Sequence, residues 1–184
     1  MINFFHNYVI FMNHWEFLEP TTTQPCTAED RAFEYCIKLC EKIKDKSDWS
    51  LILTGNKNNN KSPLKELILG MKNVITTIGD WQPMRKLCME RASRVYYVGM
   101  HTNNCCFTSA LGINYLLPCL HQGSFSIEVI DECTAALDHD EKTGIFNNQL
   151  QYSGKEYMRE QNLRKSFIEN HLISYDQLLL RHNL

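Results

Sequence analysis

The sequence lacks an excess of charge of either sign. Across 184 residues, 19 lysines and arginines face 21 aspartates and glutamates, for a formal net charge of -2. That balance leaves no electrostatic footprint for a nucleic-acid partner. Long hydrophobic runs are also missing. Runs such as Tyr8–Met12 (YVIFM) are too short to span a bilayer, so no membrane partner is expected. The opening MINFFHNYVIFMNHW has no basic n-region and no small-residue cleavage site, which argues against a signal peptide. No internal repeat is visible, and the one low-complexity patch, Gly55–Pro63 (GNKNNNKSP), reads as an exposed loop.

Cysteine, by contrast, is plentiful. The eight are Cys26, Cys36, Cys40, Cys88, Cys105, Cys106, Cys119 and Cys133. They form no CxxC pair and no Cys/His knuckle, so neither a structural zinc nor any other metal is indicated. Several fall on apolar helical positions. Reduced, buried thiols in a cytoplasmic protein are therefore expected rather than a disulfide framework.

The length suits one domain, residues 1–184, with a single sizeable core. Strand-like and helix-like segments alternate along it. Strands are expected at Tyr8–Met12, Ser50–Thr54, Asn73–Thr77, Val95–Met100, Ser126–Ile130 and His171–Ile173. Helices are expected after Thr27, over Pro63–Leu69, from Pro83 to Arg91, and from about Asn104 to Leu117. Two more are expected at Lys155–Ile168 and Tyr175–Leu180. Six strands alternating with helices predict an α/β fold: a mostly parallel six-stranded sheet with helices on both faces, three-layer and Rossmann-like. Such sheets bind ligands beyond the carboxyl ends of their strands, where the strand order reverses.

That rule directs attention to VGMHTNNCCFTSALG, Val98–Gly112. Cys105 falls at the predicted start of a helix, where free N–H groups favour a thiolate and could hold an oxyanion. Cys106 lies about 100° further round that helix and lines up with Ala110 and Ile113, a core stripe. Spacing alone leaves Cys105 open between a nucleophile and another small buried residue.

Gly99-Met100-His101-Thr102-Asn103-Asn104-Cys105-Cys106 resembles the G-x-x-T-[ND]-x-C-V signature of the isochorismatase-like cysteine hydrolases, which include nicotinamidases and N-carbamoyl amidohydrolases. His101-Thr102-Asn103 matches the H-T-N-x-C branch. Val129–Ala136 (VIDECTAA) is similar to the segment after the family's fifth strand, and Ile168–Leu178 to its ending. The resemblance runs from about Asn73 to the C-terminus. It implies the same fold, Cys105 as nucleophile, and an oxyanion hole from the N–H groups of His101 and Cys105. It also places a non-proline cis bond at Met100–His101. Homo-oligomers are frequent among such proteins, and the resemblance extends that expectation here.

Two members of the family's machinery are replaced. The family carries an aspartate after its first strand that takes the thiol proton; Asn13 stands there, a neutral amide that cannot act as a base. The family's lysine falls near Thr77 or Ile78, where no lysine stands. Lys72 precedes that strand, and Lys57 lies in the Asn-rich loop. No match appears around Thr54–Pro63 for the metal-binding Asp and two His of nicotinamidases, and no cofactor is implied.

The expected site is therefore Cys105, with His101 and Asn13 in the remaining catalytic positions. His14, Trp15, Met100, Thr102, Asn103 and Asn104 are expected around a small-molecule substrate. His14 and His101 are the candidate substitute bases, though each is also readable as a partly buried polar side chain. Trp15 and Trp81 suit a pocket wall or the core. Asp131 is expected to cap the turn after the fifth strand. The functional expectation is a hydrolase of a small amide or ureide acting through a Cys105 acyl-enzyme. The alternative is an inactive homologue that binds or assembles.

Overall fold

In the first strand, β1 (His6–Met12), Tyr8, Ile10 and Met12 point to one side and Val9 and Phe11 to the other. All five are buried, so this strand must have layers on both faces. The structure, a computed structural model, describes residues 6–12, 27–54, 63–77, 82–100, 105–108, 112–120, 125–135 and 166–184.

Five further strands complete the sheet: β2 (Trp49–Thr54), β3 (Val74–Thr77), β4 (Ala92–Met100), β5 (Ser126–Ala135) and β6 (Leu172–Ile173). Their order is β3-β2-β1-β4-β5-β6, and every pairing is parallel. The chain builds outward from β1 to β3, then returns to β1's other side with β4. The order therefore reverses between β1 and β4, and the carboxyl ends of these strands are where such sheets bind ligands.

Helix α1 (Thr27–Ile43) buries Cys36, Leu39, Cys40 and Ile43, a stripe at helical spacing, against one face of the sheet. That face also carries α2 (Pro63–Leu69) and α7 (Tyr175–His182). Ser174 caps α7: its hydroxyl accepts from the Gln177 N–H at 3.1 Å, and the Gln177 side chain accepts from the Ser174 N–H at 2.9 Å. The opposite face holds α3 (Gln82–Arg91), α4 (Cys105–Thr108), α5 (Ile113–Leu116) and helical residues 166–171, called α6.

Two expectations are corrected. The helix expected from Asn104 to Leu117 is not one helix. Cys105–Thr108 and Ile113–Leu116 are separate, with Gly112 extended (ψ 168°) ahead of the second and a 3-10 turn at Leu117–Cys119. Glycine is a weak helix former, which suits a break at this point. The fifth strand also continues past Ile130 to Ala135. Tyr97 pairs with Val129 and Gly99 with Thr134, so two steps along β4 match five along β5. The excess forms a bulge, in which the Thr134 hydroxyl donates to the carbonyls of Ile130 and Asp131, each at 3.4 Å. Asp131 is therefore a strand residue and not a turn cap. The expected helical residues 155–165 lie outside the described part.

Candidate active site

Met12, the last residue of β1, is in register with Gly99 of β4. Gly99 has φ 97°, a left-handed value that L side chains rarely adopt. A Cβ built there would collide with the Met12 carbonyl oxygen and lie 3.1 Å from both its C and N. Glycine at this position therefore lets β4 close on β1 where the sheet order reverses. A glycine inside an apolar strand run is itself a signal of close backbone approach, and that signal was legible in VYYVGM.

Beyond Gly99, β4 ends at Met100 and α4 begins at Cys105. Cys106 and Phe107 are buried on the α3–α6 face with Tyr97, Ile113, Leu116 and Cys119. Phe107 meets Phe167 edge to face, with centroids 5.6 Å apart. Cys106 is thus a core thiol, as its spacing indicated. These contacts fix α4 against the sheet and set the backbone of Cys105 just past the carboxyl end of β4. With only four residues, α4 sums far less dipole than the long helix expected. His14, Trp15, Trp81, Asn13, His101, Thr102, Asn103, Asn104 and the Met100–His101 peptide lie outside the described residues or span their edge.

At the neighbouring strand ends, the Thr54 hydroxyl donates to the Phe11 carbonyl at 3.0 Å, tying β2 to β1. Thr54 pairs in turn with Thr77, where β3 ends without a lysine. Lys72 precedes β3 and so stands at its amino end. On the far side, Arg31 of α1 reaches Asp131 of β5 at 3.9 Å. Burial pushes the Asp131 carboxyl up; neighbouring Glu132 adds to this and Arg31 opposes it. The Glu132 carboxylate accepts from the Tyr175 N–H at 2.6 Å. The bulge thus anchors both α1 and α7, a role that a sequence without the register could not reveal.

Among the described residues, six thiols are reduced and buried: Cys36, Cys40, Cys88, Cys106, Cys119 and Cys133. Burial raises Cys36 and Cys40, and pushes Cys88 up to about 12, with Cys119 adding to the last. Such groups stay protonated and inert.

No protein-family model matches the chain, and no curated protein matches it. Solved structures do. An isochorismatase-like hydrolase from Alkaliphilus metalliredigens superposes with a TM-score of 0.53 at 12% identity, covering 96% of this chain and 98% of its own. The nicotinamidase of Staphylococcus aureus gives 0.53 at 15%, covering 91% and 98%. A protein assigned as an isochorismatase hydrolase, from Oleispira antarctica, gives 0.56 at 11%, covering 98% and 98%. The chain has the isochorismatase-like hydrolase fold. Among the described residues, no helix is long and apolar enough to cross a membrane.

Proposed function

We propose that this protein is an isochorismatase-like cysteine hydrolase acting on a small amide, ureide or similar C–N bond through Cys105. One observation carries the reading: Cys105 opens a helix just beyond the point where Gly99 closes β4 onto β1. In the proposed reaction the Cys105 thiolate attacks the substrate carbonyl carbon, and backbone N–H groups of the turn stabilise the oxyanion. The C–N bond then breaks, and the amine leaves with a proton. Water attacks the thioester, releasing the acid and regenerating the thiol. His101 or His14 would take the thiol proton in place of the missing aspartate. The substrate is a small molecule and the protein assembles as a homo-oligomer in the cytoplasm; the reduced, buried cysteines fit that compartment.

A specific observation favours a second reading, an inactive homologue kept for binding or assembly. Position 13 is an amide, and β3 ends on Thr76-Thr77 with its nearest lysine at the wrong end. The rate of Cys105 labelling by iodoacetamide against pH decides, with Cys105→Ser as control. A midpoint well below that of a free thiol supports the hydrolase. Labelling no faster than a model thiol supports the inactive homologue.

A further inference from the structure

The amino ends of the strands, opposite the crevice, enclose a second cavity. Its volume is about 660 Å³, within the usual size of small-molecule sites. Asn7, Ser93, Arg94 and Ser126 line it from the starts of β1, β4 and β5, beside Phe125 and with His182 closing it from the end of α7.

The polar groups here are not spent on one another. Asn7 is only 4% exposed, and its Oδ1 accepts from the Ser93 hydroxyl at 3.3 Å, which leaves its amide N–H donors for the cavity. Ser126 Oγ is buried and has no hydrogen-bond partner among the described residues. His182 Nε2 is engaged by the Tyr96 hydroxyl at 2.7 Å, so Nδ1 remains for a ligand. Trp49 meets that ring edge-on at 4.8 Å and holds its orientation.

The Glu128 carboxylate is held by Arg181 at 2.6 Å, while Arg94 approaches the same oxygen only at 3.6 Å. Two guanidinium groups share one carboxylate, and Arg94 is the looser partner. Asp48 also lines the cavity, where its carboxylate can accept from a hydroxyl or amine of a ligand.

We propose that this cavity binds a small molecule with an oxyanion head, carboxylate or phosphate, and a hydrogen-bonding or aromatic body. The head sits on Arg94 and His182, and the Asn7 amide donates to it. The body lies beside Phe125. This site is separate from the Cys105 crevice, so its test is independent of the proposed hydrolase activity.

The test is an NMR titration of the full chain with inorganic phosphate and, separately, with benzoate. The backbone amides of Arg94 and Ser126 and the ring protons of His182 are followed. Saturable shifts at these groups are expected. Saturation by phosphate alone assigns a phosphate head, and by benzoate alone a carboxylate on a ring. Arg94→Met should weaken the effective probe about tenfold or more, while Arg181 keeps Glu128 paired and the fold intact. No saturable shift with either probe up to about 50 mM overturns the proposal. So does saturation that Arg94→Met leaves unchanged.

Discussion

Gly99 and Met12 face each other across β4 and β1 with no room for a side chain between them. This contact closes the sheet where its order reverses, near the end of the strand that precedes Cys105. It joins the requirement for glycine to the geometry of the crevice. A substitution there should disturb both stability and the site.

Gly99→Ala should cost about 2–5 kcal/mol, combining a positive φ imposed on an L residue with overpacking against backbone that cannot move aside. Urea unfolding followed by circular dichroism measures it. A loss below about 0.5 kcal/mol, the range of ordinary surface substitutions, would mean that the strands do not meet as described.

The buried thiols make a second expectation. With Cys88 pushed up to about 12 by burial, only about one molecule in ten thousand carries its thiolate at pH 8. Cys36 and Cys40 are raised by the same cause. Peptide mapping after brief alkylation of the folded protein should find Cys36, Cys40, Cys88 and Cys106 unmodified, and all four modified in urea. Early labelling of Cys106 would contradict its burial between α4 and the sheet.

How much of this was legible in the sequence differs by element. β1 was readable because YVIFM is buried on both faces, and both layers demand unbroken apolar residues. Helix α1 was readable because Cys36, Leu39, Cys40 and Ile43 keep one face over about two turns. The split at Gly112 was hidden, because Cys106 and Ile113 remain on one core with or without a continuous helix between them. The β5 bulge was hidden for another reason. IDECTA has no strict alternation, and its pairing depends on β4 and β6, which are distant in sequence. At the candidate site, Cys105 was singled out by its position after a strand and its motif, and its backbone opens α4. The Arg31–Asp131 pair was not, since residues 100 apart meet only through the fold.

His182 gives a pH-dependent expectation. Burial lowers its pKa, and Arg94 and Arg181 push in the same direction against Asp48 and Glu128. The unfolded chain, with an ordinary histidine near 6.5, therefore binds the proton more readily than the folded one. Above about pH 6.5 both states are neutral and His182 contributes no slope. As pH falls from about 6.5 through the lower folded value, stability is lost. Thermal midpoints at pH 7 and pH 5 should fall less steeply in His182→Gln, which keeps a partner for the Tyr96 hydroxyl, than in the natural protein. Parallel curves for the two proteins would remove His182 from the acid response.

Asn13→Asp tests the proposed chemistry most directly. A carboxylate beside Cys105 has two opposite electrostatic consequences. In the resting protein it disfavours a second negative charge, so the thiol pKa rises and simple alkylation slows. During attack on an ester it accepts the thiol proton as the bond forms, so acylation speeds up. The expected outcome is therefore a split: slower labelling by iodoacetamide, and acylation by p-nitrophenyl acetate faster by about 100-fold or more, the usual scale of a positioned general base. The Cys105→Ser protein gives the background for both rates. A gain in acylation would mean that the oxyanion turn is intact and that only the base is missing at position 13. If both rates slow together, the carboxylate acts as a charge and not as a base, and the inactive-homologue reading is the better one. If neither changes, residue 13 does not lie beside the thiol, and the base must be sought at His14 or His101.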